Sequence, residues 1–145
     1  MAYEKHNTPF RIWYALLQRH SSSSKYNTHY YAQSSGQLNS ADTAAWGGVI
    51  GNIKNLSKIW PDQLQIEVVV HGRALDFLVA SKSHLVNDVE QLSKKGIIFS
   101  ACENTMGKYG ITKQMLIPAV FTVPSGVGEV ILKQEQGWSY LRAGY

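Results

Sequence analysis

The chain has 145 residues, 44% of them apolar and 17% charged, with a net charge of +4 and one cysteine. That length fits one domain able to bury roughly two-thirds of its unfolded surface, so a core forms without covalent staples. A single cysteine excludes an intramolecular disulfide and any multi-cysteine zinc site, and a chain without disulfides fits a reducing compartment.

The positive charge raises the question of a polyanionic partner. The basic residues are scattered, however, and only Lys94 and Lys95 are adjacent. The stripe of cations interleaved with aromatics that marks a nucleic-acid surface is missing, so no nucleic-acid partner is expected. Ile12 to Leu17 is too short and interrupted for a secretory core, and no run approaches the ~20 apolar residues of a membrane span. The expectation is a soluble, cytoplasmic protein with no membrane contact.

Residues 1–25 differ from the rest. Phe10, Trp13, Tyr14 and Leu17 share one face of a short helix, and Ser21 to Ser24 break the pattern as a flexible link. This segment reads as an appendage to a single α/β domain over residues 26–145.

Thr28 to Gln33 is rich in β-formers and ends at Ser34-Ser35-Gly36, which predicts a strand followed by a loop. Asn39 or Ser40 then caps a helix. Its apolar positions, Trp46, Val49, Ile50, Ile53, Leu56 and Trp60, recur at helical spacing until Pro61 stops it. Gly47, Gly48 and Gly51 lie inside that helix at a cost in propensity, which predicts close packing against the sheet. Gln65 to Val70 is the second strand, and its near-continuous apolar end reads as central and covered on both faces.

A short helix around Ala74–Ala80 and a longer one around Ser83–Lys95 follow, the second closed by Gly96. Ile97 to Ala101 is the third strand, ending at Cys102. A short helical stretch, a turn at Gly110 and one helical turn capped by Thr112 lead to the fourth strand, Ala119 to Val123. The last predicted helix carries Val127, Val130, Ile131, Gln134, Trp138 and Leu141 on one stripe. Strands alternating with helices imply βαβ units with right-handed crossovers, hence a three-layer α/β fold around a mostly parallel sheet.

In open parallel sheets, ligands collect beyond the carboxyl ends of the strands. Four segments are expected there: Ser34-Ser35-Gly36, His71-Gly72-Arg73, Cys102-Glu103-Asn104-Thr105 and Pro124-Ser125-Gly126. A free cysteine is usually a small buried hydrophobe. Cys102 differs in sitting where a strand gives way to a helix, and helix amides favour a thiolate there, with Glu103 opposing.

His71 ends the neighbouring strand, as a general base, a cationic neighbour for the thiolate, or a ring bonded to a loop carbonyl. Arg73 either attracts an anion or covers surface, and Asn104 and Thr105 either contact a ligand or cap the short helix. Ser125 and Gly126 either bind an anion through backbone amides or form an ordinary cap. No metal or cofactor is expected. The five histidines show no ligand-type spacing, and no GxGxxG, phosphate-binding loop or GxSxG turn is present.

Three spaced motifs carry a resemblance. They are Val68-Val69-Val70-His71-Gly72, Phe99-Ser100-Ala101-Cys102-Glu103-Asn104-Thr105, and Val123-Pro124-Ser125-Gly126-Val127, followed by Gln134 and Gly137-Trp138-Ser139-Tyr140. Over residues 27–142 this pattern resembles the DsrE/DsrF-like family, in particular the intracellular sulfur-oxidation branch. The resemblance implies a flavodoxin-like α/β unit, assembly as a homotrimer or hexamer, and kinship with TusD-like sulfur-relay proteins.

In those proteins a cysteine at the end of the third strand carries sulfur as a persulfide, and Cys102 matches that position. Lys108-Tyr109-Gly110-Ile111 departs from the Arg-Gly pair usual in the relay members. The implied function is a sulfur carrier or sulfurtransferase with Cys102 and His71 as its chemistry. Gly72, Arg73, Glu103, Asn104, Thr105, Ser125 and Gly126 then face the substrate, with donor and acceptor proteins as partners. The alternative is a non-catalytic oligomeric module, binding a small ligand or a partner, in which Cys102 is structural.

Overall fold

A computed structural model of the protein describes residues 32–143. The aromatic face expected in residues 10–17 and the Thr28–Tyr31 portion of the first strand lie outside the described residues. In chain order the elements are β1 (Ala32–Leu38), α1 (Thr43–Ile59), β2 (Leu64–Val70), a 3-10 segment (Gly72–Leu78) and α2 (Val86–Lys94). Then come β3 (Ile98–Cys102), α3 (Glu103–Tyr109), a 3-10 turn (Lys113–Met115), β4 (Phe121–Val123), α4 (Gly126–Glu135) and β5 (Ser139–Ala143).

All five strands are parallel, in the order β4-β3-β2-β1-β5. The chain steps from β1 to β4 in one direction and then returns across the sheet to β5. With right-handed crossovers, that reversal puts α4 on the opposite face from α1 and α2.

The two faces of the sheet differ in chemistry. On the α1 side, Ile66, Val68, Val70, Phe99 and Ala101 join Trp46, Val49, Ile50 and Ile53 in one apolar core. Phe77, from the 3-10 segment, ties the layers together, with its ring 5.7 Å from Trp46 and 6.0 Å from Phe99. Burying a side chain of that size contributes about 1.5–3 kcal/mol.

On the α4 side the alternate positions are largely polar, and Ser35, Glu67 and Ser100 are buried there. Ser100 donates to Glu67 Oε1 at 2.5 Å, and Lys133 of α4 sits 3.0 Å from Glu67 Oε2. The same ammonium lies 4.4 Å from the centre of the Trp138 ring. A charge taken out of water needs such a partner, because the desolvation cost is otherwise several kcal/mol.

β1 departs from the expected boundaries. Ser34, Ser35 and Gly36 have turn-like chemistry, but they lie inside the strand, paired with β2 on one side and β5 on the other. A strand held on both edges tolerates small polar residues that would end an isolated one. The strand continues to Leu38, which is fully buried and paired with Val70.

The cap of α1 is Asp42, whose carboxylate accepts from the Ala44 amide at 2.9 Å, rather than Asn39 or Ser40. The α1 glycines do not pack against the sheet either. A Cβ at Gly47, Gly48 or Gly51 would meet nothing within 4 Å.

The expected last helix also divides. α4 ends at Glu135 and Gly137 adopts φ +88°, with Gly137 N–H bonded to Gln134 O and Trp138 N–H to Lys133 O. This paired closure needs a left-handed residue, which glycine supplies without a Cβ clash. Leu141 therefore belongs to β5, and Trp138 to the link before it. Nor is the predicted stripe buried as a unit, since Val130 is buried while Val127, Ile131 and Gln134 are exposed.

Candidate thiol site

Register brings the site together. Val70 pairs with Ala101, so His71 and Cys102 leave adjacent strands side by side at their carboxyl ends. Val123 pairs with Cys102 on the other side, and the chain turns through Pro124 and Ser125 into α4. Gly126, the first residue of α4, is wedged against both side chains. A methyl group there would lie 3.0 Å from His71 Cβ and 3.2 Å from Cys102 Cβ. Only glycine lets the helix approach this closely.

The Cys102 thiol is 5% exposed. Burial pushes its pKa up, but hydrogen bonds to the sulfur outweigh burial and leave it below the ordinary thiol value. The donors are the Thr105 hydroxyl and the backbone amides of Gly126, Thr105 and Asn104. Donors aimed at one sulfur stabilise the charged form, and the thiolate is the nucleophile.

The Thr105 hydroxyl is itself fixed, because it accepts from the Gly72 amide at 3.0 Å. Its proton is thereby left for the sulfur. Gly72 reaches that position with φ +58°, a conformation that side-chain-bearing residues rarely adopt.

His71 is half-buried, and desolvation holds its pKa below the ordinary histidine value. A neutral ring is favoured, so the reading of His71 as a cationic neighbour for the thiolate is not supported. Its Nε2 lies 2.9 Å from Gln37 Nε2, and Gln37 Oε1 accepts from the Tyr140 hydroxyl at 2.8 Å. Neither Gln37 nor Tyr140 is among the expected site residues, because Gln37 lies beyond the predicted end of β1 and Tyr140 falls within the predicted last helix. The signal for the first was the alternation Gln33, Ser35, Gln37; for the second, the helix-stopping Gly137.

The remaining expected residues divide. Cys102, His71, Gly72, Thr105 and Gly126 converge. Asn104 contributes its backbone amide, and its side chain is exposed. The carboxylate of Glu103 accepts from Thr122 at 2.7 Å and lies 3.7 Å from Lys113, so its charge is engaged by β4 and the 3-10 turn. Ser125 is an ordinary cap whose hydroxyl accepts from the Gly128 amide at 3.2 Å. Arg73 is exposed and makes no ion pair among the described residues. Ser34-Ser35-Gly36 does not reach the site, being inside β1.

Among the described residues no group of three or more His, Cys, Asp or Glu lies together, and no helix is long and apolar enough to cross a membrane.

A parallel three-layer α/β sheet with a donor-ringed thiol at one strand end defines the class of protein. The DsrE/DsrF-like family model matches residues 14–143, and the chain belongs to that family. A protein of unknown function from Methanobacterium thermoautotrophicum, MTH1491, has the same fold. It is 30% identical, with a TM-score of 0.73 over 77% of this chain and 98% of its own. BT1422 from Bacteroides thetaiotaomicron, also of unknown function, shares the fold at 12% identity and a TM-score of 0.60, over 75% of this chain and 92% of its own. No curated protein matches the chain.

Proposed function

We propose that the protein is a sulfur carrier of intracellular sulfur metabolism that holds sulfane sulfur as a persulfide on Cys102. The observation that carries this reading is the placement of Cys102 at the β3–α3 junction against Gly126 of α4, where α3, α4 and Thr105 supply donors that lower the thiol pKa despite burial. A structural thiol needs none of them, whereas a nucleophile needs its charged form stabilised.

The chemistry is redox-neutral transfer. The Cys102 thiolate attacks the outer sulfur of a donor persulfide, forming a new S–S bond as the donor's S–S bond breaks and the donor leaves as a thiolate. An acceptor thiolate then attacks the outer sulfur on Cys102 and releases the Cys102 thiolate. With one cysteine in the sequence, the carried sulfur leaves to an acceptor thiol rather than to an internal disulfide.

The family adds an expectation of cytoplasmic homo-oligomers, trimer or hexamer, and of donor and acceptor proteins. The exposed apolar side chains Phe121, Val127 and Ile131 suit a subunit contact.

The alternative of a binding or interaction module with a structural Cys102 draws on one observation, the 5% exposure of that residue. Intact mass before and after a sulfane-sulfur donor, with Cys102→Ser alongside, separates the two. Whole sulfur atoms gained by the wild type, removed by reductant and absent from the variant, support the carrier. No gain under conditions that load a known carrier makes Cys102 structural.

A further inference from the structure

The hydrogen-bond chain running from β5 through β1 to His71 fixes more than the position of the ring. The Tyr140 hydroxyl donates to Gln37 Oε1, an atom that can only accept. With the amide so oriented, Gln37 Nε2 faces His71 Nε2 at 2.9 Å. An amide nitrogen can only donate, so His71 Nε2 must be the acceptor and carries no proton. In a neutral imidazole the proton then resides on Nδ1, which makes no hydrogen bond among the described residues.

We propose that Gln37 and Tyr140 are positioning residues that hold His71 as the neutral Nδ1–H tautomer, so that the thiol site offers an uncharged donor at Nδ1 to an incoming sulfur species. This deepens the carrier reading and rests on it for its purpose, though not for its geometry. During transfer, negative charge moves from the Cys102 sulfur to the donor's leaving sulfur and, once that leaving thiolate takes up the persulfide's proton, rests on the outer persulfide sulfur. A neutral N–H donor stabilises each of these anions without giving up a proton, whereas an imidazolium would protonate the sulfur that must remain nucleophilic.

Both supporting residues lie on the sheet face covered by α4. Gln37 stands opposite Val69 and Arg142 in register, and Tyr140 opposite Ser35. Protonating the ring at Nε2 would set two donors against each other, so the amide would have to turn over and Tyr140 would have to reverse its hydrogen bond. The other titratable group against the ring, across Gly126, is Cys102 on β3. Arg73, two residues along, is exposed.

Imidazole nitrogen NMR on the full chain tests the assignment directly, since protonated and unprotonated ring nitrogens resonate far apart. The wild type is expected to show His71 with its proton on Nδ1. Gln37→Glu replaces the opposing amide with a carboxylate, and His71 should then carry a proton on Nε2 and bind protons about tenfold more tightly or better. Tyr140→Phe frees the amide to turn and should mix the tautomers while leaving the fold intact by far-ultraviolet circular dichroism.

A wild-type ring protonated on Nε2, or a His71 titration unmoved by Gln37→Glu, overturns the proposal. Failure of sulfur loading with the expected tautomer pattern intact would instead remove the carrier reading and leave the assigned hydrogen-bond chain standing.

Discussion

Gly126→Ala is the most direct probe of how α4 meets the thiol. The added methyl would lie 3.0 Å from His71 Cβ, 3.2 Å from Cys102 Cβ and 3.3 Å from His71 Cγ. Ordinary carbon contacts are about 3.5–4.0 Å, so all three are short by a few tenths of an ångström or more. The two nearest neighbours are β-carbons fixed to the strand-end backbone, not the free ends of long side chains. Relief must come from moving the helix. Overpacking of this kind costs about 1–3 kcal/mol, and each kcal/mol lowers Tm by roughly 2–4 °C at this size.

Moving α4 also withdraws the Gly126 amide from the sulfur, and the thiol should titrate at higher pH. Gly47→Ala is the internal contrast, because its methyl meets nothing within 4 Å and alanine gains about 1 kcal/mol in an exposed helix interior. Thermal unfolding followed by circular dichroism, with pH titration of thiolate absorbance, reads both effects. A Gly126→Ala protein as stable as wild type with an unmoved thiol titration would refute the packing argument.

Thr105→Val should raise the thiol pKa and cost about 1 kcal/mol, because it removes a donor from Cys102 and the acceptor of the Gly72 amide. Thr105→Ser should restore the thiol titration in the same assay. Stability should also depend on pH through two groups with the same sign. The folded pKa of Cys102 lies below its unfolded value, so its contribution is full above the unfolded thiol pKa and is lost as pH falls through the folded one. His71 is likewise depressed, so on acidification the unfolded chain protonates first and stability falls below about pH 6.5 until the folded pKa is passed. Denaturant unfolding across pH should show both slopes, the alkaline one vanishing in Cys102→Ser and the acid one shrinking in His71→Gln.

The central part of the fold was legible because its elements are simple. β2 carries five consecutive buried residues, Ile66 to Val70, and α1 keeps its apolar residues on one face between a polar cap and Pro61. The errors fall at the side of the sheet where β1 and β5 pair. Neither strand advertises itself: Ser34-Ser35-Gly36 has the composition of a turn, and Trp138 and Leu141 continue a helical spacing that Gly137 interrupts. Their strand character comes from pairing with each other and with β2, which is a tertiary cause.

The same pattern explains the site. Cys102, Thr105 and Gly126 sit at element junctions that local sequence marks well. Gln37 reaches His71 through the β1–β2 pairing, and Tyr140 reaches Gln37 through the β1–β5 pairing, across 103 residues of sequence.

The two faces of the sheet divide the labour. The α1 face is apolar and holds the aromatic contacts that tie the 3-10 segment to the sheet, so most of the burial lies there. The α4 face has Ser35, Glu67 and Ser100 beneath the helix and the Gln37–Tyr140 chain beside them, with Lys133 paired to the buried Glu67 carboxylate. A polar sheet face under a single helix is a weak source of hydrophobic stability, but it supplies fixed donors and acceptors to the strand ends. Cys102, Val69 and Val130 are buried apart from the main core and on this polar side. Substitutions that loosen the α1 core therefore act on folding without touching the thiol, whereas buried positions of α4 such as Gly126 act on both.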